Sequence, residues 1–113
     1  MFRRLFGGEA AHAAEEVDVT AAHLLQQQGA QLIDVREPHE FASAHARGAR
    51  NIPLGQLSGR LGEIKADRTV LLICRSGNRS RTAQGILRRH HITDTRNVRG
   101  GMIAWHAARL PEK

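Results

Sequence analysis

One cysteine, Cys74, is the whole thiol content of this 113-residue chain, which excludes an internal disulfide and any paired-cysteine zinc site. Tyrosine is absent, and one tryptophan with three phenylalanines brings the aromatic share to only 4%. The stacking platforms of single-strand nucleic-acid binders are therefore missing. Acidic residues are in the minority, 11 against 17 Lys and Arg, for a net charge of +6. That surplus favours anionic partners in general and keeps a surface solvated. Without aromatic interleaving it does not point to nucleic acid. A long apolar run is lacking too. Met1-Phe2-Arg3-Arg4-Leu5-Phe6 starts like an export signal, but Gly7, Gly8, Glu9 and His12 interrupt it. No secretory or transmembrane segment is expected, and a lone reduced thiol makes the cytoplasm the expected location.

What is present suits one domain, since 41% hydrophobic residues over this length support a single ordinary core. Residues 1–16 are alanine-rich and interrupted by glycine, and they read as an N-terminal tail ahead of a domain over 17–113. Thr20 is a candidate N-cap for a helix to Gln28, with Gly29 as its stop, and 31–35 (QLIDV) reads as a buried strand. Pro38 opens a short helix to Ala44, and 48–53 is a brief extended segment. Leu54, Leu57, Leu61 and Ile64 recur at helical spacing, interrupted by Gly59 and Gly62. A strand over 69–74, a helix over 79–90 with Ala83, Ile86 and Leu87 inward, a weak strand over 95–98 and a last helix bearing Met102, Ile103 and Trp105 complete the pattern. Strands alternating with helices argue for a mainly parallel sheet covered on both faces. Ligands of such sheets gather beyond the carboxyl ends of the strands. The ends of the strands at Asp34 and Cys74 would share that edge.

The chemistry concentrates where the apolar run 69–73 (TVLLI) gives way to Cys74-Arg75-Ser76-Gly77-Asn78-Arg79-Ser80. A cysteine ending an apolar strand is often plain core filler. Two arginines, a glycine and two serines in the next six positions have no place in such a role, because burying them without partners is costly. Successive N–H groups of a tight loop ahead of a helix converge on one point, and the helix adds the positive end of its dipole. A thiolate or a bound oxyanion is stabilised there, which is the setting that lowers a cysteine pKa. The seven histidines offer no metal site, since His39 and His45 stand six apart and His90-His91 are adjacent. No metal and no cofactor is expected.

Four segments, in order, resemble the single-domain rhodaneses, a family of sulfurtransferases. They are Asp34-Val35-Arg36-Glu37 with Glu40-Phe41; His45-Ala46-Arg47-Gly48-Ala49-Arg50-Asn51-Ile52-Pro53; the 74–80 loop; and Val98-Arg99-Gly100-Gly101 with Trp105 and Leu110-Pro111. The resemblance implies a three-layer α/β/α fold with a central, mainly parallel sheet of about five strands. It implies that Cys74 is the nucleophile and persulfide carrier, with the loop residues Arg75, Ser76, Gly77, Asn78, Arg79 and Ser80 binding an anionic donor. Asp34 and Arg36 match a motif that organises the edge of the site, as an ion pair fixing a turn. The chain departs from the usual pattern at His45-Ala46-Arg47-Gly48, where the family has a glycine before the histidine and an isoleucine after it.

The implied reaction moves a sulfane sulfur from thiosulfate or a related persulfide donor to cyanide or a thiol acceptor. Two alternatives stay open. One is a relay or interaction module that exchanges sulfur with another sulfur-handling protein and turns over thiosulfate incidentally. The other is a phosphatase or arsenate reductase, whose cradle needs an arginine six positions after the nucleophile; here that position is Ser80, with Arg79 one step early.

Overall fold

A computed structural model describes residues 15–113. The export-like hexamer and most of the expected tail lie outside the described residues. Glu15 and Glu16 fall within them, and the sheet already begins at Glu16.

Among the described residues, five strands form one parallel sheet: β1 (Glu16–Val17), β2 (Gln31–Asp34), β3 (Arg50–Asn51), β4 (Val70–Ile73) and β5 (Thr95–Val98), in the order β1-β5-β4-β2-β3. The central strand β4 is buried at every position, as a parallel strand covered on both faces must be. Its side chains alternate between two layers. Val70, Leu72 and Cys74 join Ile33, Val35, Leu57, Ala83 and Leu87 on one face, and Leu71 and Ile73 join Ala22, Leu32, Val98 and Trp105 on the other. Helices α1 (Val19–Gln27) and α4 (Gly101–Ala107) cover the second face, and α3 (Asn78–Arg89) covers the first. A short helix, α2 (Pro38–Ser43), crosses the carboxyl edge. The expected three-layer α/β/α architecture is therefore the one observed.

Two local expectations need correction. The N-cap of α1 is Asp18, whose carboxylate accepts the Ala21 N–H at 2.8 Å, while Thr20 lies inside the helix and is exposed. A carboxylate at this position satisfies an orphan donor of the first turn. The segment carrying Leu54, Leu57, Leu61 and Ile64 is not an α-helix. It forms two 3-10 turns, Leu54–Gly59 and Leu61–Glu63, broken at Arg60. Glycines at 55, 59 and 62 weaken the α form, and three-residue turns still bury Leu57 and Ile64.

Register decides what meets at the carboxyl edge. Asp34 aligns with Ile73, so the chain leaves β2 and β4 side by side, and Asn97 aligns with Leu72, so its side chain shares the face of Cys74. The C-terminal segment is held by an antiparallel bridge between Ala46 and Glu112, with Ala46 fully buried. The unusual alanine after His45 is thus a packing position beneath the chain end.

Candidate active site

Cys74 follows the last residue of β4 and is 1% exposed within the apolar layer beside α3. The main chain nevertheless turns back onto it. The Gly77 N–H donates to Sγ at 3.1 Å, and the Ser80 hydroxyl lies 3.3 Å from Sγ. Gly77 takes a left-handed conformation, φ +115°, which lets the loop reverse directly into α3. Burial pushes the thiol pKa up. The Ser80 side chain and the main-chain N–H groups of Ser80, Gly77 and Ser76 push it down, and the net result lies below the ordinary thiol value. Ser80 and Gly77 are buried, whereas Arg75, Ser76 and Asn78 are exposed.

Helix α4 braces the loop from the other side. The Met102 and Ile103 N–H groups donate to the carbonyls of Cys74 and Arg75 at 2.8 and 3.1 Å. Gly101 makes this approach possible, since a Cβ there would stand 2.4 Å from the Cys74 carbonyl oxygen. Gly101 is therefore a contact surface for the 74–80 loop.

The arginines separate into different roles. Asp34 and Arg36 form the expected ion pair, buried and two-pronged, with contacts of 2.8–3.0 Å. Arg36 also donates to the Ala44 carbonyl at 2.7 Å, and Asn51 donates to the carbonyls of Asp34 and Arg36. This network ties the β2–α2 turn to the end of α2 and to β3. Arg79, one of the loop residues expected to bind an anionic donor, is already engaged by a carboxylate. It is paired through both nitrogens with Glu40 of α2, at 2.7 and 2.9 Å. That bond holds the Glu40 carboxyl down at about 2. Arg75 is the loop arginine without an ion pair among the described residues, and it lines a cavity of about 410 Å³ together with Arg36, His39, Glu40, Met102 and His106.

Sequence reasoning missed two contributors. Glu40 appears only within a motif, with no role of its own. Asn97 of β5, 1% exposed, accepts the Ser80 hydroxyl through Oδ1 and donates through Nδ2 to the Gly77 carbonyl. The available signal is an amide side chain in a strand position whose neighbours 95 and 98 are also buried.

A parallel sheet whose central strand delivers a thiol into a turn of inward-facing amides defines a class, the α/β proteins with a thiol at an anion-holding loop. The particular family follows from comparison with known proteins: the rhodanese-like domain model matches residues 18–108, and the chain belongs to that family. The uncharacterized protein YqhL of Bacillus subtilis is 50% identical over 76 residues, covering 67% of this chain and 60% of that protein. The chain thus spans about three fifths of that relative's length. The thiosulfate sulfurtransferase GlpE of Vibrio cholerae is 33% identical over 96 residues, covering 84% of this chain and 91% of that one. Among solved structures, a rhodanese-related protein from Thermoplasma volcanium has a TM-score of 0.79 at 24% identity, covering 88% of this chain and 97% of that one, a likeness of fold.

Proposed function

We propose that the chain is a sulfurtransferase in which Cys74 carries a sulfane sulfur as a persulfide. The observation that carries this reading is the Cys74 sulfur facing the Gly77 N–H and the Ser80 hydroxyl, with its pKa below the ordinary thiol value. Likeness to a thiosulfate sulfurtransferase supports it. The thiolate attacks the terminal sulfur of thiosulfate, a new S–S bond forms on Cys74, and the old S–S bond breaks as sulfite leaves with its electron pair. The persulfide anion rests against the loop amides, as an oxyanion would. A thiolate or cyanide then attacks the outer sulfur, and Cys74 departs as a thiolate. An ionised thiol needs no general base.

In this reading Arg75 meets the anionic donor, and the main-chain N–H groups of Ser76, Gly77 and Ser80 hold charge at the sulfur. Asn78 begins α3 behind them. Arg79, neutralised by Glu40, positions α3 against α2. Asp34 and Arg36 keep the neighbouring turn in place. Residues 17–113 form the working domain.

A second reading, exchange of sulfur with another sulfur-handling protein, draws on the cavity beside Arg75, which has far more room than thiosulfate needs. The phosphatase reading has no comparable support, since the side chain six positions after Cys74 is the Ser80 hydroxyl against Sγ. Initial rates with thiosulfate and cyanide varied together, alongside an aryl phosphate control, test the proposal. Parallel double-reciprocal lines with sulfite release are expected, and turnover of the phosphate alone overturns it.

A further inference from the structure

Ser80 has one hydroxyl hydrogen and two claimants for it. Its oxygen lies 3.3 Å from Cys74 Sγ and also within hydrogen-bond reach of Asn97 Oδ1. The orientation of the Asn97 amide is fixed by its other contact, at 3.3 Å to the Gly77 carbonyl. A carbonyl oxygen only accepts, so the atom facing it is the NH2 group and the atom facing Ser80 is the amide oxygen. That oxygen also only accepts. The hydrogen between them therefore comes from Ser80, and in the neutral site the thiol S–H donates to Oγ. The result is a directed chain from Cys74 through Ser80 to Asn97, closed in a pocket where all three residues are at most 1% exposed.

Ionisation of Cys74 breaks this chain. When the thiol proton leaves to solvent, the sulfur becomes an acceptor. Either Ser80 swings its hydrogen onto the sulfur and leaves a buried amide oxygen unpaired, or it keeps Asn97 and presents a lone pair to an anion. Both are unfavourable where the sulfur, the hydroxyl and the amide are this deeply buried. We infer that Asn97 is a positioning residue that competes with Cys74 for the Ser80 proton, restraining formation of the bare thiolate while leaving the persulfide unopposed. In a persulfide the negative charge sits on the outer sulfur, so the inner one no longer calls for the Ser80 hydrogen. The pair thus biases the site toward its sulfur-loaded form, a refinement that rests on the sulfurtransferase reading.

Charged groups around the thiol, Arg75 apart, are already matched. Arg79 of α3 feels the thiolate charge but is bound to Glu40 of α2, and Asp34 and Arg36 at the end of β2 neutralise each other. Beside β5, Arg96 pairs with Asp94 and Arg99 with Glu16, and on α4 His106 pairs with Glu112 while the first turn, Gly101 to Ala104, is uncharged. Arg75 is the exposed charge on the loop. The contest for one hydrogen is then the local element that a single neutral substitution alters.

The test is the pH dependence of Cys74 alkylation by iodoacetamide, followed by mass spectrometry in the wild type, Asn97→Ala, Ser80→Ala and the double variant. Removing Asn97 releases the hydroxyl to the sulfur, so the midpoint falls by about one pH unit, a tenfold change in proton affinity. With Ser80 already alanine, the same substitution leaves the midpoint where Ser80→Ala put it. An unchanged or raised midpoint in Asn97→Ala, or an equal fall in both backgrounds, overturns the inference. Should the variants not fold, the Asn97 side-chain amide resonances of the wild type supply the answer. They are expected to titrate with the alkylation midpoint, and a flat response overturns the idea. Alkylation requires no sulfur donor, so this outcome is separate from whether the protein transfers sulfur.

Discussion

Two clusters stand side by side at the carboxyl edge of the sheet, and they handle polarity in opposite ways. Around the β2–α2 turn, charges answer charges: Asp34 with Arg36, Glu40 with Arg79. Around the 74–80 loop, uncharged groups face a single sulfur. The first cluster is complete in itself and has little left to offer a ligand. The second holds main-chain N–H groups whose favoured partner is an anion, which is what a thiolate or a persulfide supplies. The comparison teaches that formal charge near a site does not identify the groups that act there. Arg79 lies five residues from Cys74 and is spent on Glu40, while Gly77 and Ser80, without charge, touch the sulfur.

Substitutions on either side should separate these roles. Cys74→Ser removes the proposed nucleophile, so sulfur transfer is expected to vanish while circular dichroism and the thermal transition stay near the wild type. Measurable turnover in that variant contradicts the assignment. Arg36→Ala strands the buried Asp34 carboxylate, and stability should fall by about 3–5 kcal/mol in urea unfolding. Little change would mean that the turn does not depend on the pair. Arg75→Ala should raise KM for thiosulfate by roughly tenfold, about 1.4 kcal/mol, with kcat nearly unchanged. An effect confined to kcat would place Arg75 in the chemical step instead.

The smallest effect belongs to Glu40. Its folded pKa, about 2, lies below the ordinary 4.5, so ion pairing with Arg79 stabilises the protein fully above that ordinary value and is lost as pH falls toward 2. Both partners are partly exposed, and solvent screening reduces the contribution to about 1 kcal/mol. Glu40→Gln should lower stability by that amount at neutral pH and flatten the acid limb between pH 4.5 and 2. Unfolding midpoints across this window check it, and an acid limb identical to the wild type counts against the pairing.

Much of this was legible in residue order because the physics was local. A continuous apolar run such as 70–73 marks a strand buried on both faces, and the abrupt change to Arg-Ser-Gly-Asn-Arg-Ser marks a loop that leaves the core. The Asp34–Arg36 pair spans two residues, and the motif that the resemblance supplied already named both. Contacts between distant elements did not announce themselves. Asn97 meets Ser80 across 17 positions, and Glu40 meets Arg79 across 39, each depending on strand register or on how α2 crosses the edge. A polar residue in 95–98 weakens the appearance of a strand, and only the fold shows that the amide is the support of the loop. The leucine spacing over 54–64 misled in another way, because Leu57 and Ile64 are buried by 3-10 turns in a segment whose glycines weaken an α-helix.

Mass spectrometry of the intact protein after exposure to thiosulfate, without reductant, asks most directly whether the amide-lined thiol carries sulfur. One added sulfur atom on Cys74, lost again on treatment with cyanide and absent from Cys74→Ser, is the predicted result. An unchanged mass with every sulfane donor offered, or an added sulfur that persists in Cys74→Ser, would contradict it.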